Sequence, residues 1–253
     1  MSAGHDHIGV IAAMPDEVRD LDEVLVDRYV TEAAGRQFHH GRLGNQRVTL
    51  VESRIGKVAA AITAMTLIRD HDVDAIVFTG IAGGLADDLA VGDVVVATEL
   101  IQHDLQGPPE MFVRGEIPLS GVVEIRTDEA LTARAVAAAR AFVDDIDAVV
   151  LAERRAEIGV GVPSVHLGQI ATGDEFIEGE LKAVVRSRAP RALCVDMEGA
   201  AVAQVCHEHG GVPLCVIRSI SDLADGSASM EFPVFLEELA RHYTAGILTR
   251  MFS

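Results

Sequence analysis

Two acidic segments of this chain each leave an apolar run, and one short Ala-rich stretch separates them. The first reads Ala192-Leu193-Cys194-Val195-Asp196-Met197-Glu198-Gly199-Ala200-Ala201; the second reads Leu214-Cys215-Val216-Ile217-Arg218-Ser219-Ile220-Ser221-Asp222. A carboxylate at the mouth of a buried strand is costly unless it is paired, hydrogen-bonded or used. Such groups suit chemistry on a polar substrate that develops positive charge. Met14-Pro15-Asp16-Glu17 adds a third acidic site just past the apolar run Ile8 to Ala13.

Each of these residues also has a purely structural explanation. Proline and acidic residues in a first helical turn complement the helix dipole, which accounts for Glu17 and Glu198 as well as chemistry does. Asp222 suits an N-cap or a turn. Arg218, inside an apolar strand, requires a carboxylate partner if buried, and Glu17 or Glu198 is expected to supply it. Phe176, in Thr172-Gly173-Asp174-Glu175-Phe176-Ile177, suits either stacking on a planar base or a place in the core. Thr79-Gly80-Ile81-Ala82-Gly83-Gly84 follows a strand and fits backbone approaching a ligand or a ligand-free tight turn. It matches neither GxGxxG nor a phosphate loop ending in Lys-Ser/Thr, so a dinucleotide-binding domain is disfavoured.

The elements that must position these residues alternate. Strands are expected over Ile8 to Ala13, Arg47 to Ser53, Ala75 to Phe78, Val94 to Leu100, Val165 to Thr172, Leu193 to Met197 and Leu214 to Ser219. Helices are expected from near Pro15, after Lys57 with apolar Val58, Ile62, Met65 and Leu67, over Thr127 to Val143, over Ala200 to His209 and over Val234 to Met251. This order predicts an α/β fold: one domain over residues 1–253, a mixed and mostly parallel central sheet flanked by helices, with residues 1–7 flexible. Gln106 to Ile117, rich in Gly and Pro, is the main irregular segment and a candidate binding loop.

Composition narrows the function. The 253 residues are 49% hydrophobic and carry a net charge of −18, which argues against nucleic acid or anionic membranes as partners. Cys194, Cys206 and Cys215 lack metal-ligand spacing and read as reduced core residues, which suits a cytoplasmic protein. His5-Asp6-His7 is a weak metal candidate set against a disordered terminus. No apolar run reaches the roughly 18 residues of a membrane span, and no metal or cofactor is expected.

Taken in order, Ile11-Ala12-Ala13-Met14 with Glu17, Ile55-Gly56-Lys57-Val58-Ala59-Ala60, Thr79 to Gly84, Val91-Gly92-Asp93, Thr172 to Ile177, Val195 to Glu198 and Arg218 to Asp222 resemble the nucleoside phosphorylase superfamily. The likeness is greatest to its 5′-methylthioadenosine/S-adenosylhomocysteine nucleosidase branch and runs from about Ile8 to the C-terminal helix. It implies hydrolysis of the N-glycosidic bond of adenine nucleosides carrying a 5′-thioether. Asp222 would protonate purine N7, and Glu17, helped by Arg218, would deprotonate a water below the anomeric carbon. Glu198 would hold the ribose hydroxyls with Met197 on the sugar, Phe176 would stack on adenine, and the Ile177 backbone would read its edge. Met14, Ile55, Ile81, Ala82, Gly83 and Ser221 would complete the substrate site. The 5′-substituent pocket is assigned to Phe232 and the Pro108 to Pro118 loop with Met111 and Phe112, partly from the second subunit of a homodimer.

Two positions depart from that branch. Ile81 stands where a serine is common, and Arg54 stands where a small residue is common and suggests the phosphate side of the phosphorylases. Isoleucine is a poor phosphate ligand and no arginine accompanies Thr79-Gly80-Ile81, so hydrolysis is favoured over phosphorolysis. The alternatives are a purine nucleoside phosphorylase, a futalosine-type nucleosidase and a nucleoside-binding protein without turnover.

Overall fold

The apolar runs become strands of a ten-stranded mixed sheet in the computed structural model, which describes residues 5–17, 21 and 24–253. In chain order the strands are β1 (His7–Ala12), β2 (Val26–Ala33), β3 (Arg36–Leu43), β4 (Gln46–Glu52), β5 (Ala75–Gly84), β6 (Val94–Gln102), β7 (Glu124–Arg126), β8 (Val165–Thr172), β9 (Ala192–Asp196) and β10 (Leu214–Asp222). The helices are α1 (Lys57–Asp70), α2 (Glu129–Asp144), α3 (Ile146–Val149), α4 (Ala152–Glu157), α5 (Leu181–Arg188), α6 (Gly199–Glu208), α7 (Ala228–Phe235) and α8 (Arg241–Phe252).

Strand order is β10-β6-β8-β9-β5-β1-β4-β3-β2, with β7 beside β6 and an additional pairing of β10 with β5. That last pairing closes β5, β10, β6, β8 and β9 on themselves, while β1, β4, β3 and β2 run outward from β5. β1 and β10 are buried at every position, as continuous apolar strands covered on both faces must be. One apolar cluster packs β1, β4 and β10 residues such as Val10, Leu50 and Ile217 against α2 and α8 (Phe142, Tyr243, Leu248). A second, on the other face, joins Ile11, Phe78 and Val216 to α1 and α6 (Leu67, Val202). Close packing there explains Gly9, where an added Cβ would fall 2.9 Å from Leu67 Cδ1.

Several expectations are corrected. β5 does not end at Phe78: the glycine segment stays in the sheet to Gly84 because β10 pairs along it, Arg218 against Gly80 and Ile220 against Ala82. β10 likewise runs past Ser219 to Asp222, and a bulge at Ser221 precedes the pairing of Asp222 with Gly83. β2 and β3 form an unforeseen hairpin whose turn, Ala34-Gly35, has positive φ at both residues. The final helix is broken: Pro233 lies within α7, and a π-helical turn over Leu236–Ala240 precedes α8. The helix expected near Pro15 opens as a 3-10 turn, Pro15–Glu17, and residues 18–20, 22 and 23 lie outside the described residues. Of the terminus expected to be flexible, residues 1–4 are also outside them, whereas His7 is buried in β1 and bonds Thr49. Among the described residues no helix is long and apolar enough to cross a membrane.

Candidate active site

Acidic side chains far apart in sequence meet because the strands that carry them end at one place. A cavity of about 110 Å³ opens at the C-terminal ends of the strands, lined by Met14, Glu17, Ile55, Ile81, Ala82, Gly83, Phe176, Ile177, Met197, Glu198, Ser221, Asp222 and Phe232. Ala13, Glu175, Val195 and Asp196 complete the wall. β1 delivers Met14 and Glu17, β4 leads to Ile55, β5 supplies Ile81 to Gly83, β8 leads to Phe176, β9 to Glu198, and β10 ends on Asp222. Ligand sites of α/β sheets form at such carboxyl ends.

Glu17 is 1% exposed. Its Oε2 accepts hydrogen bonds from the Ala13 and Met14 amides at 2.7 and 2.8 Å, and its Oε1 accepts one from the Ile81 amide at 3.1 Å. Burial pushes its pKa up to about 7 against the opposing pull of those amides and of the Arg218 charge. An added Cβ at Gly80 would sit 2.8 Å from Oε1, so the carboxylate occupies space that only glycine leaves free. The isoleucine at position 81 therefore reaches Glu17 through its backbone, where side-chain polarity is immaterial.

Glu198 sits at the N-terminus of α6 but makes no capping hydrogen bond. Its Oε1 instead accepts from the Gly56 amide at 2.8 Å, and burial, then the neighbouring Asp196 charge, raise its pKa. Asp222 is 2% exposed and accepts from the Ala224 amide at 2.9 Å and from the Ser221 hydroxyl at 2.8 Å. Burial raises its pKa despite both bonds. Phe176 is 42% exposed and meets Phe232 edge-on, with ring centroids 5.6 Å apart. That exposure removes the core explanation for Phe176.

Arg218 does not line the cavity. Its expected partner is corrected too: neither Glu17 nor Glu198 but Asp196 takes the guanidinium, with Nε donating at 2.9 Å to Oδ2 and Nη2 2.8 Å from the same oxygen. Both side chains are 1% exposed, and the guanidinium lies over the Phe78 ring at 4.2 Å. β10 points Arg218 inward beneath the cavity floor, which puts it nearer β9 than the acids above.

Asp196 and Glu175 border the cavity without being expected there, although both stand in segments that point to chemistry. The available signal was position: Asp196 ends β9, two residues before Glu198. Lys57 bridges Asp104 and Asp174 at 2.8 and 3.0 Å, fixing the start of α1 to the loop that leads to Phe176. Arg54 does not line the cavity and donates to the Gly35 carbonyl. Pro108 to Pro118 contribute nothing to this cavity; the Phe112 ring crowds Gly107, and Met111 is 70% exposed. The site thus offers a buried carboxyl of raised pKa on one wall, a backbone-cradled carboxylate near neutrality on another and an aromatic plate beside Phe232 of α7 and Ile177.

Comparisons with known proteins identify the family. The sequence model described as the Phosphorylase superfamily matches residues 7–253. A 5′-methylthioadenosine/S-adenosylhomocysteine nucleosidase of Haemophilus influenzae is 36% identical over 242 residues, covering 95% of this chain and 96% of that one. The nucleosidase of the same name from Colwellia psychrerythraea, solved in complex with adenine, superposes with a TM-score of 0.84 at 34% identity over 100% of this chain and 96% of that one. A futalosine hydrolase of Helicobacter pylori superposes at 0.81 with 34% identity over 97% of each chain.

Proposed function

The chain belongs to the phosphorylase superfamily, and from that premise we propose how its cavity works as a purine nucleoside N-glycosidase. The enzyme hydrolyses the N-glycosidic bond of 5′-methylthioadenosine and S-adenosylhomocysteine, releasing adenine. Cleavage of a ribosyl C–N bond develops oxocarbenium character, so carboxylates near the sugar stabilise the transition state. Asp222 holds the proton that passes to purine N7; without it the base departs as an anion. Burial raises the pKa of this carboxyl, the direction the role requires. Glu17, with its pKa near 7 and its amides directing both oxygens, takes the proton of the attacking water. Glu198 accepts from the ribose hydroxyls through the oxygen that Gly56 leaves free. Phe176 stacks on adenine, Ile177 reads its edge, and Phe232 closes over the thioether.

The observation that carries these roles is the arrival of Glu17, Glu198 and Asp222 on one cavity beside Phe176. Arg54, the only departure favouring phosphate, is turned to Gly35, which supports water as the nucleophile. A homodimer is supported by the apolar face of α1, where Val58, Ile62 and Met65 are exposed beside a groove shared with α6. The exposure of Met111 and Val113 supports a part for the Pro108 to Pro118 loop at that dimer contact and, through it, in the 5′ pocket. Three unpaired, buried cysteines support a reducing, cytoplasmic setting.

The test is to incubate the purified protein with methylthioadenosine, with and without phosphate, and to assay adenine and the sugar product. Adenine and free methylthioribose at equal rates in both arms are expected. Adenine release that requires phosphate overturns hydrolysis, and turnover of futalosine alone transfers the activity to the neighbouring branch.

A further inference from the structure

Asp196 touches more of this site than any residue assigned a role above. Oδ1 accepts from the Thr172 hydroxyl at 2.6 Å, and the Gly199 amide lies 3.1 and 3.2 Å from the two carboxylate oxygens. Oδ2 takes Arg218 Nε at 2.9 Å. Thus one carboxylate joins the end of β8, the first turn of α6 that carries Glu198, and the only arginine beneath the cavity among the described residues.

Arg218 has other places to send its charge. A side chain at Gly80 would meet Glu17 Oε1 at 2.8 Å and Arg218 Nη1 at 3.5 Å, so base and guanidinium border the same small space. Nη1 donates to the Phe78 and Ile217 carbonyls, and Nη2 is buried without a hydrogen bond although it lies 2.8 Å from Asp196. That free donor is held by charge alone. With Asp196 neutral, Glu17 on one side and Glu198 on the other are the carboxylates left to receive it. Either one, once paired with Arg218, loses the freedom to meet water or ribose.

Resting on the nucleosidase reading above, we propose that Asp196 is a positioning residue: it draws the Arg218 guanidinium to β9 and so leaves Glu17 and Glu198 to the substrate. The groups that face one another here are Glu17 after β1, Asp196 on β9, Glu198 at the start of α6 and Arg218 on β10; the Cys194 thiol lies behind them, its pKa pushed up by burial. Arg218 favours the charged forms of both Glu17 and Glu198, whereas Asp196 disfavours the charged form of Glu198. Neutralising Asp196 removes the restraint and lowers the basicity of both.

The experiment is the pH profile of kcat/KM for adenine release. In Asp196→Asn, which keeps an oxygen for Thr172, the acid limb moves down by about one pH unit or more, as expected when a carboxylate gains an unopposed cation. Asp196→Glu, which keeps the charge, leaves the limb near its original position whatever it does to the rate. The double variant Asp196→Asn/Arg218→Met removes both charges and returns the limb to the wild-type pH or above. A limb that stays put in Asp196→Asn, or that moves equally in the double variant, overturns the proposal. Carboxyl-13C titration of Glu17 follows the same shift without turnover. Wild-type protein that releases no adenine would therefore defeat the nucleosidase reading while leaving this one decided by the titration.

Discussion

β1 has a titratable cluster at each end, and the two behave oppositely. Beyond its C-terminus lie Glu17, Glu198 and Asp222, all buried yet bordering the cavity. At its N-terminus His7 and His40 share the Thr49 hydroxyl at 2.7 and 2.9 Å; His40 also meets Thr31 at 2.8 Å, stacks on Tyr29 at 4.4 Å and has the His71 ring 5.0 Å away. Burial shifts the acids and the histidines alike, each toward its neutral form: Glu17 up to about 7, His40 down to about 4, with His7 and His71 lowered as well. A displaced pKa therefore does not by itself mark a functional site. What separates the clusters is where the polar atoms point. His7 and His40 spend ring nitrogens on threonine hydroxyls inside the sheet, while the acids border the cavity and are held mainly by backbone amides, Glu198 with one oxygen left open.

That contrast is open to direct attack. Asp222→Asn should lower kcat for adenine release by about 10²–10⁴-fold, the range for loss of a general acid, and Glu17→Gln should be of similar size. Steady-state kinetics on folded variants checks both, and near-normal turnover would put the acids in the same class as the histidines. Next in size, Phe176→Ala should raise KM by about tenfold or more, since stacking of a base on an aromatic ring is worth about 1–3 kcal/mol. His40→Leu removes two buried partners and should cost about 1–3 kcal/mol of stability in denaturant titration, while kcat/KM is unchanged.

The smallest effect is in the pH dependence of stability. Glu17 binds a proton more tightly when folded, so its contribution falls as pH rises from about 4.5 to about 7. The folded-state pKa of His40 is depressed, so its contribution is complete above about 6.5 and lost as pH falls toward about 4. The two slopes oppose each other between those limits. Urea titrations across pH should show Glu17→Gln flattening the first and His40→Leu the second; variants with wild-type slopes would erase the distinction.

Much of this was readable in the residues. Apolar runs located β1, β9 and the start of β10, because a strand buried along nearly its whole length has few polar positions, and the polar end of β10 escaped for the same reason. The β2–β3 hairpin escaped notice because β2 lies at the sheet edge with Val26, Tyr29 and Val30 exposed, so alternation is lost and its turn is Ala34-Gly35. The glycine segment after Phe78 read as a turn because glycine is normally poor in strands; pairing with β10 overrides that preference. Glu17, Glu198, Asp222 and ten further residues expected at the site border the cavity, whereas Arg218, Met111 and Phe112 do not; Arg218 is the instructive exception. Arg218 was recognised as needing a carboxylate, but three were in reach.

The chain by itself determined which groups must be special: acids and one arginine that apolar strands carry into the interior at a cost no sequence leaves unanswered. Only the folded molecule decided how that cost is met. Closure of β10 onto β5 brings Arg218 beside β9, the bulge at Ser221 turns Asp222 into the cavity, and Asp196 takes the guanidinium. Spacing along a strand tells which face a side chain takes, whereas the partner it finds depends on strands that are distant in sequence and adjacent only in space.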